Sequence, residues 1–258
     1  MVGGTHESSV QSVVLKNQDV EINFIQPNEE MAELIKAADD GNLDEVRRLL
    51  DSGVDVNHIF YVRRGRGNGQ LALVTAAAKG HLEIVNALLA AGADINKVLR
   101  NGVSSLHIAA SLGHTEVVRA LLAAGAKFNT RTESGLSPMS VATMKGSLPI
   151  IQMLLAAGAD INEKDGQGSP PLRYAAGFQH EELVRALLDL GASVHITDSD
   201  GKSILQEAME GEEFLPNINN LIIESTWKKR RHALAAFGAA SRRSTRRGRK
   251  SSRKSRLY

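Results

Sequence analysis

The stretch that decides the fold reads GHLEIVNALLAAGADIN, from Gly80 to Asn96. It recurs as GHTEVVRALLAAGAKFN from Gly113 to Asn129, and as GSLPIIQMLLAAGADIN from Gly146 to Asn162. The closing Asn residues are 33 positions apart, and His195 continues the series. A fixed period of this length with helix-sized apolar patterns predicts a solenoid, in which each unit buries its apolar face against the next.

One unit of the repeat predicts two short helices followed by a loop. Gly113 separates the helices, and Gly125 ends the second one, where a left-handed backbone costs glycine least. The polar residues 127–135 predict a projecting β-hairpin loop. The apolar positions that recur at helical spacing and should form the core are Leu106, Ala109 and Ala110 on the first helix, and Val117, Val118, Leu121 and Leu122 on the second.

These residues resemble the ankyrin-repeat family. Its Thr-Pro-Leu-His-x-Ala-Ala pattern is approximated by SSLHIAA at Ser104–Ala110, by SPMSVAT at Ser137–Thr143 and by PPLRYAA at Pro170–Ala176. The resemblance covers roughly Asn28 to Glu224. It implies an all-α ankyrin-repeat solenoid whose concave face, formed by hairpin tips and the exposed sides of the first helices, binds a protein partner.

The chain divides into three parts on this pattern. Residues 1–28 form an N-terminal segment, in which alternating residues from Val10 to Ile25 predict a small β-hairpin. Residues 29–224 form the repeat domain, with about five repeats and a degenerate sixth acting as a C-terminal cap. Gly211, Pro216 and Asn219-Asn220 are expected to interrupt the second helix of that cap. Residues 225–258 form a basic tail with a helical start, beyond which the chain is too polar and too like-charged to fold alone.

Charge separates the tail from the rest of the chain. Of the 31 Lys and Arg residues, 13 lie in residues 225–258, where there is no acidic residue. The preceding residues therefore hold 18 basic against 29 acidic residues, a net charge of −11. Such a tail is typical of a nuclear import signal recognised by importin or of a nucleic-acid arm. The alternatives are an anionic membrane surface, calmodulin-like recognition of the helix around Trp227, or a solvated tail. The candidate residues are Lys228, Lys229, Arg230, Arg231, Arg242, Arg243, Arg246, Arg247, Arg249 and Lys250.

The sequence offers no catalytic constellation. Cysteine is absent, which excludes disulfides, thiolate nucleophiles and Cys-ligated zinc. His81, His114 and His180 occupy one repeat position, so they are spaced one per unit, too far apart to share a metal. Asp198, Asp200 and Glu207 fit a hairpin turn better than a calcium loop. We therefore expect a non-enzymatic protein with no catalytic, cofactor or metal site and no small-molecule substrate.

Two regions are candidates for binding a protein partner. The spacing from Asn57 to Asn96 is 39 residues, and the six surplus residues fall in the stretch from His58 to Gly69. This insertion combines aromatic and Arg side chains, as interface centres do, and is expected to project from the hairpin edge. Its candidate residues are Phe60, Tyr61, Arg63, Arg64 and Arg66. The concave-face candidates are Arg100, Asn101, Leu112, Arg131, Glu133, Leu136, Met144, Lys145, Lys164 and Phe178.

Two functional hypotheses follow. In the first, the protein is an adaptor or scaffold that grips a protein partner, and the tail localises the complex. In the second, it binds phosphate surfaces, of nucleic acid or anionic membrane, through the tail and the Arg63–Arg66 loop. No signal peptide is expected within residues 1–18, and an intracellular location, in the nucleus rather than the cytoplasm, fits the tail. The pattern suits a eukaryotic protein and also a bacterial protein exported into a host.

Overall fold

The computed structural model describes residues 27–60, 69–210, 214–228 and 231 of the chain. Within them, twelve helices form six consecutive helix–turn–helix pairs, which confirms the all-α repeat architecture. The first helices of the pairs are α1 (Pro27–Asp40), α3 (Ala72–Lys79), α5 (Ser105–Leu112), α7 (Pro138–Lys145), α9 (Pro171–Gly177) and α11 (Ile204–Glu210). The second helices are α2 (Leu43–Asp51), α4 (Leu82–Ala90), α6 (Thr115–Ala123), α8 (Leu148–Ala156), α10 (Glu181–Asp189) and α12 (residues 216–228).

The pairs stack so that first helices contact first helices and second helices contact second helices. Ala38, Ala77, Ala110 and Ala176 occupy one position of the first helix, and each is completely buried. Thr143 takes this position in the fourth pair, where its hydroxyl is satisfied by donating to the carbonyl oxygen of Met139 (2.8 Å). Small side chains at this position let adjacent helices approach closely. The core predicted for the third pair is confirmed, except that Leu122 is only half-buried.

Hairpins connect successive pairs, and the insertion falls between two hydrogen-bonded positions of one connection. Phe60 and Gln70 exchange two backbone hydrogen bonds of 2.9 and 2.8 Å. In the next hairpin the corresponding bond joins Leu99 and Val103 (2.9 Å). Nine residues separate the first two positions and three separate the second two, so the six surplus residues fall between Phe60 and Gln70. The hairpin predicted for residues 10–25 lies outside the described residues.

The sixth pair corrects the prediction for the C-terminal cap. Pro216 and the two Asn residues at 219 and 220 were expected to interrupt its second helix. Instead α12 begins at residue 216 and continues through 228. Proline is tolerated in the first turn of a helix because no intrahelical partner is lost there. Ile218 and Ile222 are fully buried, so this helix packs into the core like its counterparts.

In three of the pairs, a histidine at the start of the second helix binds the pair to the one before it. Nε2 of His114 donates to the carbonyl oxygen of Ala78 (2.9 Å), and its ring lies over Gly80, which has a φ of 76°. A Cβ built on Gly80 would lie only 2.7 Å from Nδ1 of His114. His81 and His180 make equivalent bonds to Asp39 (3.3 Å) and Met144 (2.8 Å). These residues are therefore structural, as their spacing suggested.

Three of the recurring Asn residues form hydrogen bonds to the loop of the next repeat. Oδ1 of Asn57 accepts the backbone N–H of Asp94 (2.7 Å), and its Nδ2 donates to the carbonyl oxygen of Gly92 (3.1 Å). Asn96 and Asn162 accept the N–H groups of Lys127 and Ser193, both at 2.8 Å. Backbone polar groups at the ends of the second helices are thus satisfied by the neighbouring repeat.

We expect Leu121→Ala to destabilise the protein by about 2–5 kcal/mol, because Leu121 is fully buried between stacked helices and truncation leaves a cavity. The measurement is equilibrium urea unfolding. Leu112→Ala is the matched control, since Leu112 is 44% exposed and should change stability little. Equal midpoints for the Leu121 variant and the wild type would contradict this packing.

We also expect Gly80→Ala to cost more stability than Gly92→Ala. Both glycines have positive φ, 76° and 86°, so both substitutions incur the roughly 1–2 kcal/mol penalty of a left-handed L-residue. Only at Gly80 does the new methyl group meet a ring; nothing lies within 4 Å at Gly92. The difference in melting temperature between the two variants measures the effect of the contact with His114. Equal losses of stability would argue against that contact.

Candidate interaction surface

A groove of about 330 Å³ runs between the hairpin tips and the first helices of the third and fourth repeats. Its apolar residues come from α5, α7 and the hairpin bases, and its polar residues come from the hairpin tips. The structure therefore brings together three of the predicted site residues, Asn101, Glu133 and Leu136. The other lining residues are Val103, His107, Ile108, Ser111, Thr132, Ser134 and Val141.

Backbone hydrogen bonds between neighbouring hairpins hold the rim of this groove. The N–H of Glu133 donates to the carbonyl oxygen of Asn101 (2.9 Å), and that of Gly166 donates to Gly135 (3.1 Å). Gly135 and Gly166 approach so closely that a Cβ on Gly135 would lie 2.4 Å from the Cα of Gly166. The hairpin tips thus form a continuous, pre-organised edge.

Arg131, predicted as a binding cation, is largely committed to this edge. Its guanidinium donates to the carbonyl oxygens of Gly135 (3.0 Å) and Lys164 (2.6 Å), and to Oε1 of Glu163 (2.7 Å). Burial raises the pKa of Glu163, an effect that Arg131 partly offsets. Arg131 therefore joins the hairpin before α7 to the hairpin before α9, and it remains only partly available to a ligand.

His107 lies buried beneath the groove and fixes the start of α5. Its Nδ1 accepts from the hydroxyl and backbone N–H of Ser104 (2.8 and 3.3 Å), while Ser104 caps the N–H of His107. Its Nε2 donates to the carbonyl oxygen of Leu136 in the next hairpin (3.2 Å). Burial lowers the pKa of His107 despite that bond. The neutral ring is the form that satisfies all these partners.

Four predicted side chains lie at the C-terminal ends of first helices. Leu112 and Phe178 are exposed by 44% and 54%, and Met144 is half-buried. The ring of Phe178 stacks on His180, with centroids 6.2 Å apart and an interplanar angle of 12°. The exposed Lys145 lies along the neighbouring repeat, its Cε 3.3 Å from where a Cβ of Gly113 would be.

The backbone beside Phe178 is unusual. Gln179 adopts a φ of 62° at the position where Gly80, Gly113 and Gly146 end the preceding first helices. Among the described residues it is the one non-glycine with positive φ. A left-handed L-residue is strained, and such strain is retained mainly where surrounding contacts or function demand it. Phe178 is thereby presented on a fixed turn, with its ring held against His180.

The remaining predicted residues are placed as follows. Phe60 is half-buried against the core at the base of the insertion, and Tyr61, Arg63, Arg64 and Arg66 lie outside the described residues. Arg100 and Lys164 are exposed on hairpins. Lys228 is exposed at the end of α12, and Arg231 is also exposed. The other tail candidates, Lys229, Arg230, Arg242, Arg243, Arg246, Arg247, Arg249 and Lys250, also lie outside the described residues.

Sequence reasoning missed Ile108 and Val141 as lining residues. Each lies four positions before a predicted residue, Leu112 or Lys145, and residues four apart share one helical face. That spacing was the signal that could have identified them.

The acidic residues of the sixth repeat have structural partners. Arg173 bridges Asp198 (2.9 Å) and the buried Glu207. Oδ1 of Asp198 accepts the N–H groups of Asp200 and Lys202, each at 2.9 Å, as in a hairpin turn. No group of three or more His, Asp or Glu residues suited to a metal occurs in the part of the chain that the structure describes.

This geometry of stacked helix pairs and projecting hairpins agrees with the comparison with protein families. The family described as "Ankyrin repeats (3 copies)" matches residues 3–98, 73–165 and 139–225. The chain belongs to the ankyrin-repeat family. Ankyrin repeats are generally protein–protein interaction modules, and the family is typically non-enzymatic. None of the curated proteins matches the chain. No helix within the described ranges combines the length and apolar character needed to cross a membrane.

We expect the stability of this ankyrin-repeat domain to depend on the ionisation of His107. Because the folded state lowers the pKa of His107, the unfolded chain binds more protons below the ordinary value of about 6.5. Stability is therefore retained above that pH and is lost as pH falls through the lower folded pKa.

The matched variant is His107→Gln, which retains a side chain able to complete the capping box but does not titrate. Urea unfolding at pH 7.5 and pH 5.5 should show a smaller loss of stability in the variant than in the wild type. The two proteins share every other histidine, so the difference reports on His107. Identical pH dependence would contradict this role.

Proposed function

We propose that the protein is a non-enzymatic adaptor that binds a protein partner on its concave ankyrin face. The groove between the third and fourth repeats supports this function, because its apolar floor and polar rim match the composition of protein interfaces. Leu112, on the same helix that lines the groove, and Phe178 supply exposed apolar contacts of the kind that anchor a partner.

We further propose that the basic tail directs the complex to an anionic target, by nuclear import or by contact with nucleic acid. Thirteen cations in residues 225–258 with no acidic residue make a strong, salt-dependent attraction to phosphate. Lys228, the first cation of this segment, is exposed at the end of α12, and Arg231 is also exposed. Nuclear location and importin recognition follow from this proposal and not from the ankyrin domain.

The second candidate is a phosphate-surface binder that relies on the tail together with Arg63, Arg64 and Arg66. The charge division of the chain favours it, because the tail could bind nucleic acid or an anionic membrane without the solenoid. The two functions differ in which residues carry the binding of other macromolecules.

Two full-length variants distinguish these functions. One carries Leu112→Ser and Phe178→Ser; both side chains are exposed, so folding should be retained and checked by thermal unfolding. The other replaces the ten candidate Lys and Arg residues of the tail with Gln. We expect the first variant to lose proteins recovered by chemical cross-linking in cells but to keep its nuclear location, and the second to show the reverse.

Loss of all binding, including protein partners, in the tail variant alone would overturn the adaptor function in favour of the phosphate-surface binder. Relocation from the plasma membrane, rather than from the nucleus, in that variant would identify lipid as the anionic target. Unchanged location would leave the tail without a targeting role.

A further inference from the structure

The helices on the two sides of the solenoid differ in charge. In the second to fifth repeats, the first helices α3, α5, α7 and α9 contain no acidic residue and three cations, Lys79, Lys145 and Arg173. The second helices of the same repeats contain five acids and two cations, Arg119 and Arg185. The five acids are Glu83, Glu116, Glu181, Glu182 and Asp189.

The surface formed by α3, α5, α7 and α9, here called the acid-free wall, ends at the first and sixth repeats. In the first repeat, α1 carries Asp39 and Asp40 at its C-terminal end, and in the sixth, α11 carries Glu207 and Glu210. Neighbouring helices pack about 8–10 Å apart, so the wall extends over roughly 25–30 Å. It faces the same side as the groove, which α5 and α7 line.

Lys145 is the cation of this wall that is available to a ligand. Lys79 is paired with Asp39 (3.1 Å), and Arg173 is held by Asp198 and Glu207. Lys145, by contrast, forms no ion pair with any residue the structure describes. Its aliphatic stem lies over Gly113, so the ammonium group is kept exposed while the stem is packed.

Apolar side chains flank this ammonium group. Leu112, Lys145 and Phe178 occupy the same position in three successive repeats, 33 residues apart. Leu112 and Phe178 are both substantially exposed, and Phe178 is immobilised by its stacking on His180. An apolar–cationic–apolar row with fixed spacing selects a ligand with the complementary apolar–acidic–apolar order.

We propose that the concave face recognises an acidic segment of a partner protein, with a carboxylate bound at Lys145 between two apolar side chains seated at Leu112 and Phe178. These two apolar side chains would be roughly 16–20 Å apart, twice the helix spacing. The inference rests on the proposed function and specifies the chemistry of its partner. On the hairpin side, the exposed Glu133 lines the groove and repels a carboxylate there, which favours a position for the acid beside α7.

A selection from a random peptide library displayed on phage tests this inference with the full-length protein. The library is first cleared on the full-length Lys145→Glu/Phe178→Ser variant, which keeps the basic tail and so removes peptides that bind there. Peptides retained by the wild type are then synthesised, and their Kd values are measured. We expect acidic sequences with apolar residues on both sides of the acid.

Single variants then assign the contacts. Lys145→Glu should weaken the selected peptides at least tenfold, and Lys145→Met should weaken them and abolish most of the salt dependence. Arg119→Glu, a charge reversal at another exposed cation on α6 of the opposite side, should change Kd less than twofold. Circular dichroism and thermal unfolding confirm that each variant is folded.

The remaining outcomes separate this inference from the proposed function. Peptides that are neutral or basic, yet lose affinity with Leu112→Ser or Phe178→Ser, would overturn the acidic specificity while leaving the concave binding face intact. Selected peptides insensitive to every one of these concave substitutions, or a library that yields none dependent on them, would overturn both.

Discussion

Each helix pair of this protein buries its apolar surface mainly against neighbouring pairs, and this stacking is the constraint on which the rest of the structure depends. The helices of the second to fifth pairs have only seven to nine residues, and such a pair is too small to enclose a core by itself. Its fully buried residues, such as Leu106 and Leu121, therefore lie in contacts that continue from one repeat to the next. The requirement for close stacking explains the small residues along the first helices, and it fixes the period at 33. The surplus residues fall between Phe60 and Gln70, whose backbones are hydrogen-bonded to each other, and so lie outside the stacked helices in sequence.

Polar side chains add hydrogen bonds between the stacked repeats. The residue types at these positions differ from one repeat to another. His81, His114 and His180 each bind the end of the preceding first helix. The fourth repeat has Ser147 at that position, and the stem of Lys145 covers Gly113 instead of an imidazole ring. In that repeat, one side chain therefore both fills the space left by the missing ring and carries an exposed charge on the concave side. The side chain that packs on Gly113 therefore also changes the charge of the concave face.

The fold was predictable from the sequence because stacking imposes the same residues at the same positions in every repeat. The period, the helix boundaries near Gly113 and Gly125, and the core at Val117 and Leu121 all follow from that repetition. The sixth repeat was predicted less well. Pro216 was expected to interrupt a helix, but a proline breaks a helix only when it lies beyond the first turn, and the start of α12 could not be located once the repeat pattern had weakened.

The candidate site was less predictable, because its residues are those that stacking leaves free to vary. Repeat positions identified Asn101, Glu133 and Leu136, which line one groove. They could not show that Arg131 is committed to Gly135, Lys164 and Glu163, since those bonds depend on how two hairpins approach in space. Stacking also leaves the exposed residues of the concave face free to vary. Stacking requires neither the exclusion of acids from α3, α5, α7 and α9 nor the exposure of Phe178 beside the strained Gln179. Features that the fold does not require, and that lie together on one face, support the proposal that this face binds a partner.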